Sequence, residues 1–387
     1  MNYPQLVLKS GRERSVRNRH PWLYSGAIKT RPQAGVGDIV AICDNHGELL
    51  ALGHYHPEAT LACRIFAFTR KEISIDAAFW RQKLNAARAY RQQVLGSADT
   101  TGYRLIHAEG DGLPGVVLDI FGEVASLQLR TQGAIALYPI VEEFVRNELG
   151  IERLFLRTDR KEDGPGKWTV GGGNSAHFQE NGLHFRADIE KGQKTGFFLD
   201  QRDNRALLRE YAGGRRILNA FAYSGAFSVY ALAGDAQLVH SVDISAAATA
   251  LAQENVALNF AEEPRHEAIK ADCFQFLKEM EPNAYDVIVL DPPAFTKHIS
   301  TVKKASRGYK EINLKAFQKV TSGGYVFTFS CSQHISRDLF RKIVFGAAAD
   351  AGRPVRLVAT LSQGADHPVD LYHPEGEYLK GLVLQVE

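Results

Sequence analysis

The chain has 387 residues, 45% of them hydrophobic and 23% charged, and a formal net charge of +2. That length predicts two or three domains, and the composition is that of a soluble globular protein. No apolar run is long enough for a bilayer, and the N-terminus lacks a signal-peptide pattern. The four cysteines, at 43, 63, 273 and 331, make neither a disulfide ladder nor a close-spaced zinc site, so a cytoplasmic protein with no metal is expected.

The first region, 1–72, is short strands broken by glycine and proline. Within it VGDIVAICDNHGELLALGHYH (36–56) reads as strand, Asn-His-Gly turn, strand, which predicts a small β-barrel. Seven Lys/Arg and a single acid, Glu13, lie between Lys9 and Arg31. Such a cluster can grip phosphates, and it makes Arg12, Arg14 and Arg17 candidate RNA contacts.

The second region, 73–182, opens with a helix over about 76–95, where Ala, Phe, Leu and Val recur at helical spacing. YRLIHAEGDGLPGVVLDIFGEVASLQL (103–129) reads as two strand-like runs around a Gly/Asp/Pro turn. A helix through YPIVEEFVRNEL (138–149) follows, then a polar loop or hairpin over 158–175. A compact α+β middle domain is expected.

In the third region, 183–387, the period changes to buried strands alternating with helices. Strands are predicted at 215–221, 237–243, 266–272, 285–291 and 324–330, and helices near 200–211, 226–233, 245–259, 306–320 and 336–350. The pattern predicts a parallel sheet covered on both faces, with ligands beyond the carboxyl ends of its strands.

Those ends carry the reactive residues. The first strand runs into NAFAYSGAFS (219–228), and the next three end at Asp243, Asp272 and Asp291. The fifth runs into Cys331. The first turn has one firm glycine, Gly225, beside Ser224, and is not a G-x-G-x-x-G pyrophosphate fingerprint; Phe221 and Tyr223 crowd a diphosphate. Asp243 suits two ribose hydroxyls, with Ile244 next to it. Asp272, followed by Cys273 and Phe274, suits an adenine. A nucleoside without pyrophosphate fits best, and S-adenosyl-L-methionine is the candidate.

LDPPAF (290–295) is a stiff platform for a flat base, because Pro292 and Pro293 fix φ and remove donors. Five Lys/Arg and no acid follow from Lys297 to Lys310. Pro292, Pro293, Phe295, Lys297, Lys303, Lys304 and Arg307 are therefore candidate RNA contacts. Cys331, on the neighbouring strand end, is placed to add to C6 of a cytosine, which makes C5 nucleophilic toward a methyl sulfonium. The thiolate is the reactive form, and Lys297, His298 or His334 are candidates to favour it. A lone cysteine after a buried strand is otherwise a packing residue.

Together GFFLDQRDNR (196–205), LNAFAYSGAFSVYA (218–231), DVIVLDPPAF (286–295), TFSCSQHIS (328–336) and DHPVD…PEGEYLKG (366–381) resemble the bacterial 23S ribosomal RNA cytosine-5 methyltransferases with an N-terminal PUA domain. RLIHAEGDGLPGVVLD (104–119) resembles that family's middle domain. The resemblance implies a PUA barrel, a middle α+β domain and a class I, Rossmann-like methyltransferase domain. It implies S-adenosyl-L-methionine as methyl donor, a large-subunit rRNA cytosine as acceptor, and a homodimer. By the same resemblance Cys331 is the nucleophile and Asp291 holds the base. The segment from Phe198 through Asp200 to Arg202 lies beside the cofactor, with Asn219 on the first strand. The chain departs from the resemblance at Ala222 and Ala226, where relatives more often carry a Cys or bulkier residue and a Gly. Two other functions share some of these motifs. One is methylation of a base nitrogen, with Cys331 inert. The other is an RNA-binding assembly factor with a dormant cofactor site.

Overall fold

The computed structural model describes residues 3–387 except 96–97, 193–194 and 297. The chain divides into two compact units, each built from several segments. The first contains Met1–Phe178, Asp188–Gly196 and Ala365–Gly376; the second contains Gln179–Ala187, Phe197–Gly364 and Glu377–Glu387. The regions expected from sequence, 1–72, 73–182 and 183–387, are continuous, whereas these units exchange short segments.

The first unit begins with a six-stranded sheet. In spatial order its strands are Trp22–Tyr24, Leu61–Phe68, Leu49–Tyr55, Ile39–Cys43, Gln5–Leu8 and Ile28–Thr30. One face closes over Leu6, Leu8, Leu23, Val40 and Ile42. The helix Ala77–Val94 is capped by Asp76, whose side chain accepts from Phe79 N. A five-stranded sheet follows, and the segment read as two runs contains three strands: Gly102–His107, Val116–Phe121 and Val124–Leu129. The miss is physical: Gly122 at φ +60° makes a reversal too tight to show as a break in an apolar run. The polar stretch after it is a hairpin, with Lys167–Val170 antiparallel to Arg153–Thr158.

Ala41, Cys43, Leu52 and Phe66 share a core with Trp80, Leu84, Leu118 and Leu127, so the sheets of the first unit pack around one apolar interior. DHPVD belongs here as well. Arg104 N donates to Asp366 Oδ2 (2.9 Å), and Arg91 donates to the Asp366 carbonyl (2.9 Å) while paired with Asp111. Arg104 forks onto Asp119 at 2.7 and 2.8 Å. These buried charges are paired and hydrogen-bonded, which burial requires.

The second unit carries a seven-stranded sheet. Its strands are β1 (Arg216–Ala220), β2 (Leu238–Asp243), β3 (His266–Lys270), β4 (Val287–Leu290), β5 (Gly324–Ser330), β6 (Val355–Leu361) and β7 (Lys380–Val386), in the order β3-β2-β1-β4-β5-β7-β6. The first five are parallel, as expected, but β7 runs antiparallel to both β5 and β6. Strands β6 and β7 lie outside the sequence expectation because β6 is a half-exposed edge and β7 opens on a lysine.

Among the described residues six α-helices cover this sheet: α1 (Arg202–Glu210), α2 (Ala226–Ala233), α3 (Ala246–Ala257), α4 (Cys273–Glu279), α5 (Val302–Lys319) and α6 (Arg337–Ala351). Only α4 was unexpected, since seven residues carry little periodic signal. Helix α2 is apolar almost all round and buried from Ala226 to Leu232, as an interior helix must be. Among the described residues no helix is long and apolar enough to cross a membrane.

Candidate active site

The first element of the site is the turn after β1. Phe221 and Tyr223 hold φ of +62° and +45°, and Gly225 holds +68°. Two non-glycine residues in the left-handed region cost about 1 kcal/mol or more each, and persist only where the surroundings impose them. Here the surroundings are visible. Phe221 N donates to Cys273 Sγ (3.3 Å), Ala222 N to the Val242 carbonyl (3.0 Å) and Tyr223 N to Asp243 Oδ2 (3.0 Å). At Gly225 a Cβ would lie 2.7 Å from that of Ala252, so no side chain fits. The turn is thus strapped to the ends of β2 and α4.

Asp243 ends β2. Its Oδ2 serves the turn and its Oδ1 accepts from Ser245 N (2.9 Å), which leaves lone pairs for two ribose hydroxyls. Ile244 follows it and is 64% exposed, an apolar surface beside a carboxylate. Asp272 also acts as the N-cap of α4, its Oδ1 accepting from Gln275 N at 2.9 Å. Cys273 turns inward. Its thiol donates to the Val242 carbonyl at 3.4 Å and burial pushes its pKa up to about 12, so its role is to tie the strand ends. Phe274 meets Phe221 edge to face at 6.1 Å.

Asn219 and Ser224 lie beneath this rim. Asn219 Nδ2 donates to Ser228 Oγ (2.9 Å), in a chain that continues through Ser241 (2.6 Å) to His266 (2.8 Å). Ser224 is buried, and its carbonyl accepts from Asn255 Nδ2 at 2.8 Å. Phe198 meets Tyr223 edge to face at 5.2 Å, closing over the turn. Its carbonyl is fixed by Arg205, which forks onto the buried Glu180 at 2.8 and 2.6 Å, a pair with no short-range sequence signature. Asp200 is buried and accepts from Tyr378 Oη at 2.5 Å; Arg202, two residues on, is buried as well.

The second element is the pair of exits from β4 and β5. Leu290 registers with Thr328, so Asp291 and Cys331 leave adjacent strands at the same rim. Asp291 N lies 3.5 Å from the Ala220 carbonyl, beside the first turn. Pro292 is buried and Pro293 exposed. Phe295 packs on Tyr309 at 4.5 Å and on Phe274 at 5.8 Å, which holds the platform rigid.

Cys331 differs from the other three cysteines, which are all buried, in being only half-buried. Both neighbouring serines are interior. Ser332 Oγ bonds Tyr309 Oη at 2.9 Å, and its carbonyl accepts from Lys380 Nζ at 2.8 Å. Lys380 opens β7 opposite Ser330. It is 3% exposed, and its second bond goes to the Tyr378 carbonyl at 2.7 Å. Burial, opposed by the neighbouring Cys331, brings its amine down to about 8. Of the basic residues expected beside Cys331, Lys297 lies outside the described residues, His298 is exposed and His334 is half-buried. Lys380 was missed because antiparallel pairing, not sequence proximity, brings it there. The available signal was a lysine heading the apolar run LKGLVLQV.

Lys303, Lys304 and Arg307 are exposed on α5, within one turn of each other. In the first unit Arg12 and Arg14 line a cavity of about 470 Å³ with His20, Trp22 and Tyr24. Arg17 is committed to Asp44 at 2.7 Å, so it serves the fold as well as any ligand.

A doubly covered sheet with its seventh strand reversed, an acid closing β2 and a turn without a diphosphate cradle define an S-adenosylmethionine-dependent methyltransferase. The residues fit that cofactor: Asp243 has acceptor capacity for the ribose and Ile244 offers the base an exposed apolar surface. Residues 149–363 match the family profile described as S-adenosylmethionine-dependent methyltransferase, and residues 6–68 match that of a PUA-like domain. Ribosomal RNA large subunit methyltransferase I of Shewanella denitrificans is 40% identical, over 99% of each chain. The Klebsiella pneumoniae (strain 342) protein of that name is also 40% identical, over 99% of this chain and 98% of its own. Among solved structures, a putative SAM-dependent methyltransferase from Streptococcus mutans has the same fold, with a TM-score of 0.85, 20% identity and coverage of 99% of this chain and 100% of that one. A putative methyltransferase solved in complex with SAH matches at the same TM-score of 0.85 and 20% identity. The chain belongs to the ribosomal RNA large subunit methyltransferase I family.

Proposed function

We propose that this protein methylates C5 of a cytosine in 23S rRNA, with Cys331 as covalent nucleophile. The observation that carries the reading is the half-buried Cys331 on the strand end adjacent to Asp291. Bound S-adenosyl-L-methionine supplies an electrophilic methyl group next to the strapped turn. The Cys331 thiolate adds to C6, forming an S–C bond and moving the ring electrons toward C5. Asp291 accepts a hydrogen bond from the N4 amino group and holds the base against the rigid Pro292–Phe295 platform. After C5 is methylated, loss of its proton expels the thiolate and restores the double bond. Arg12 and Arg14 on the first unit, and Lys303, Lys304 and Arg307 on the second, bind the RNA backbone.

The test is bisulfite and mass-spectrometric mapping of rRNA from a deletion strain carrying either the wild-type gene or Cys331→Ala. The reading expects one 5-methylcytosine in 23S rRNA restored by wild type and not by the variant. A methylated base nitrogen restored by both contradicts it.

A further inference from the structure

Lys380 is the buried amine of the β5 exit. It is held from two sides, by the carbonyls of Ser332 and Tyr378 at 2.8 and 2.7 Å. An ammonium has three N–H donors, so the carbonyls occupy two and one remains. Ser332 immediately follows Cys331, and Ser330, immediately before it, is the cross-strand partner of Lys380. The amine is thereby fixed to the backbone carbonyl that follows the thiol, and the strand register sets the lysine opposite the residue that precedes it.

We propose that Lys380 sets the charge state of Cys331: its neutral amine takes the thiol proton, and the resulting ammonium holds the thiolate beside the base. The step balances as RSH + R′NH₂ → RS⁻ + R′NH₃⁺, and the proton returns when the thiolate leaves C6. Lys380 acts through Cys331 and is a positioning residue. The inference rests on Cys331 as the nucleophile, although the charge coupling itself requires no RNA.

The surroundings fit this division of labour. Burial brings the amine down to about 8, near neutral pH, where it can both accept and hold a proton. The other charged groups facing it are Arg337, which opposes its charge, and Glu377, which favours it; these two are paired with each other. Tyr309 faces the same strand end. Burial raises its hydroxyl pKa, so it stays neutral and serves Ser332 as a hydrogen-bond partner. Lysine suits this post because its pKa shifts readily on burial, whereas arginine stays charged.

The test is alkylation of the full chain by iodoacetamide from about pH 6 to 10, with Cys331 followed by peptide mass spectrometry, in wild type, Lys380→Met and Lys380→Arg. The buried Cys43, Cys63 and Cys273 report integrity of the fold. The proposal expects wild-type Cys331 to alkylate with a midpoint below the ordinary thiol value of about 8.5. In Lys380→Met the rate at pH 7 falls about tenfold, as the midpoint rises by about one unit. Lys380→Arg, which keeps the charge but has no neutral form to take the proton, keeps the low alkylation midpoint, within about threefold of wild type, while its methyl transfer falls. Identical profiles for wild type and Lys380→Met overturn the proposal. If Lys380→Met exposes the buried cysteines, the wild-type midpoint decides, and a value at or above that of a free thiol also overturns it. Failure of the nucleophile reading shows separately, as wild type that transfers methyl groups without an RNA adduct.

Discussion

Cys273 and Cys331 belong to the same rim of the same sheet, and on the proposed reading their surroundings give the two thiols opposite chemistry. Cys273 is enclosed between the β1 turn and the end of β2, accepts from Phe221 N, donates to the Val242 carbonyl and is pushed up to about 12. Cys331 is half-buried and sits where Lys380 enters from the antiparallel strand. A dry thiol surrounded by carbonyls and the carboxylates of Asp243 and Asp272 stays protonated; one beside a buried amine can give up its proton. On this proposal position at a strand end is insufficient, and the cross-strand neighbour decides.

The comparison breaks most visibly at Cys331. Cys331→Ala is expected to lower methyl transfer by about 10⁴-fold or more while leaving cofactor affinity unchanged, measured by tritium transfer and calorimetry. Next in size is Asp243→Ala, which removes the acid from β2 and also releases Tyr223 N. Cofactor affinity should fall about 10- to 100-fold by calorimetry, the worth of hydrogen bonds to a charged group. Cys331 alkylation should not change.

The region under Cys273 carries a pH signature. His266, in the chain from Asn219 and Ser241, is lowered by burial to about 4 from an ordinary 6.5, and His240 adds to the effect. The unfolded chain therefore binds more protons between those values, so stability is fully present above about 6.5 and is lost as pH falls toward 4. Urea unfolding should show a loss of about 2 kcal/mol across that window, and His266→Gln should flatten it. The smallest expected effect is that of Cys273→Ala. It costs about 1 kcal/mol in urea unfolding through two hydrogen bonds and a small void, with methyl transfer within about threefold of wild type.

Much of the rim was legible because parallel strands are short apolar runs and their last residues are readable by position. Asp243, Asp291 and Cys331 stand where the strand reading put them. The reading went less far where a residue's partner is distant in sequence. Asp272 has the capping role that its place before α4 allows, and Asn219 faces Ser228 beneath the rim. The Arg205–Glu180 pair and Lys380 were invisible because an ion pair across a fold or an antiparallel register leaves no local pattern. DHPVD looked like part of the methyltransferase region, yet its aspartate straps the first unit.

The central claim is that Cys331 forms a bond to the target cytosine. It is tested most directly by incubating the wild-type protein with S-adenosyl-L-methionine and 23S rRNA containing 5-fluorocytidine, where fluorine replaces the C5 proton, cannot be eliminated, and so traps the adduct. The account predicts a denaturant-stable protein–RNA band that maps to Cys331 and is absent from Cys331→Ala. Wild type that methylates unmodified rRNA but gives no such band contradicts it.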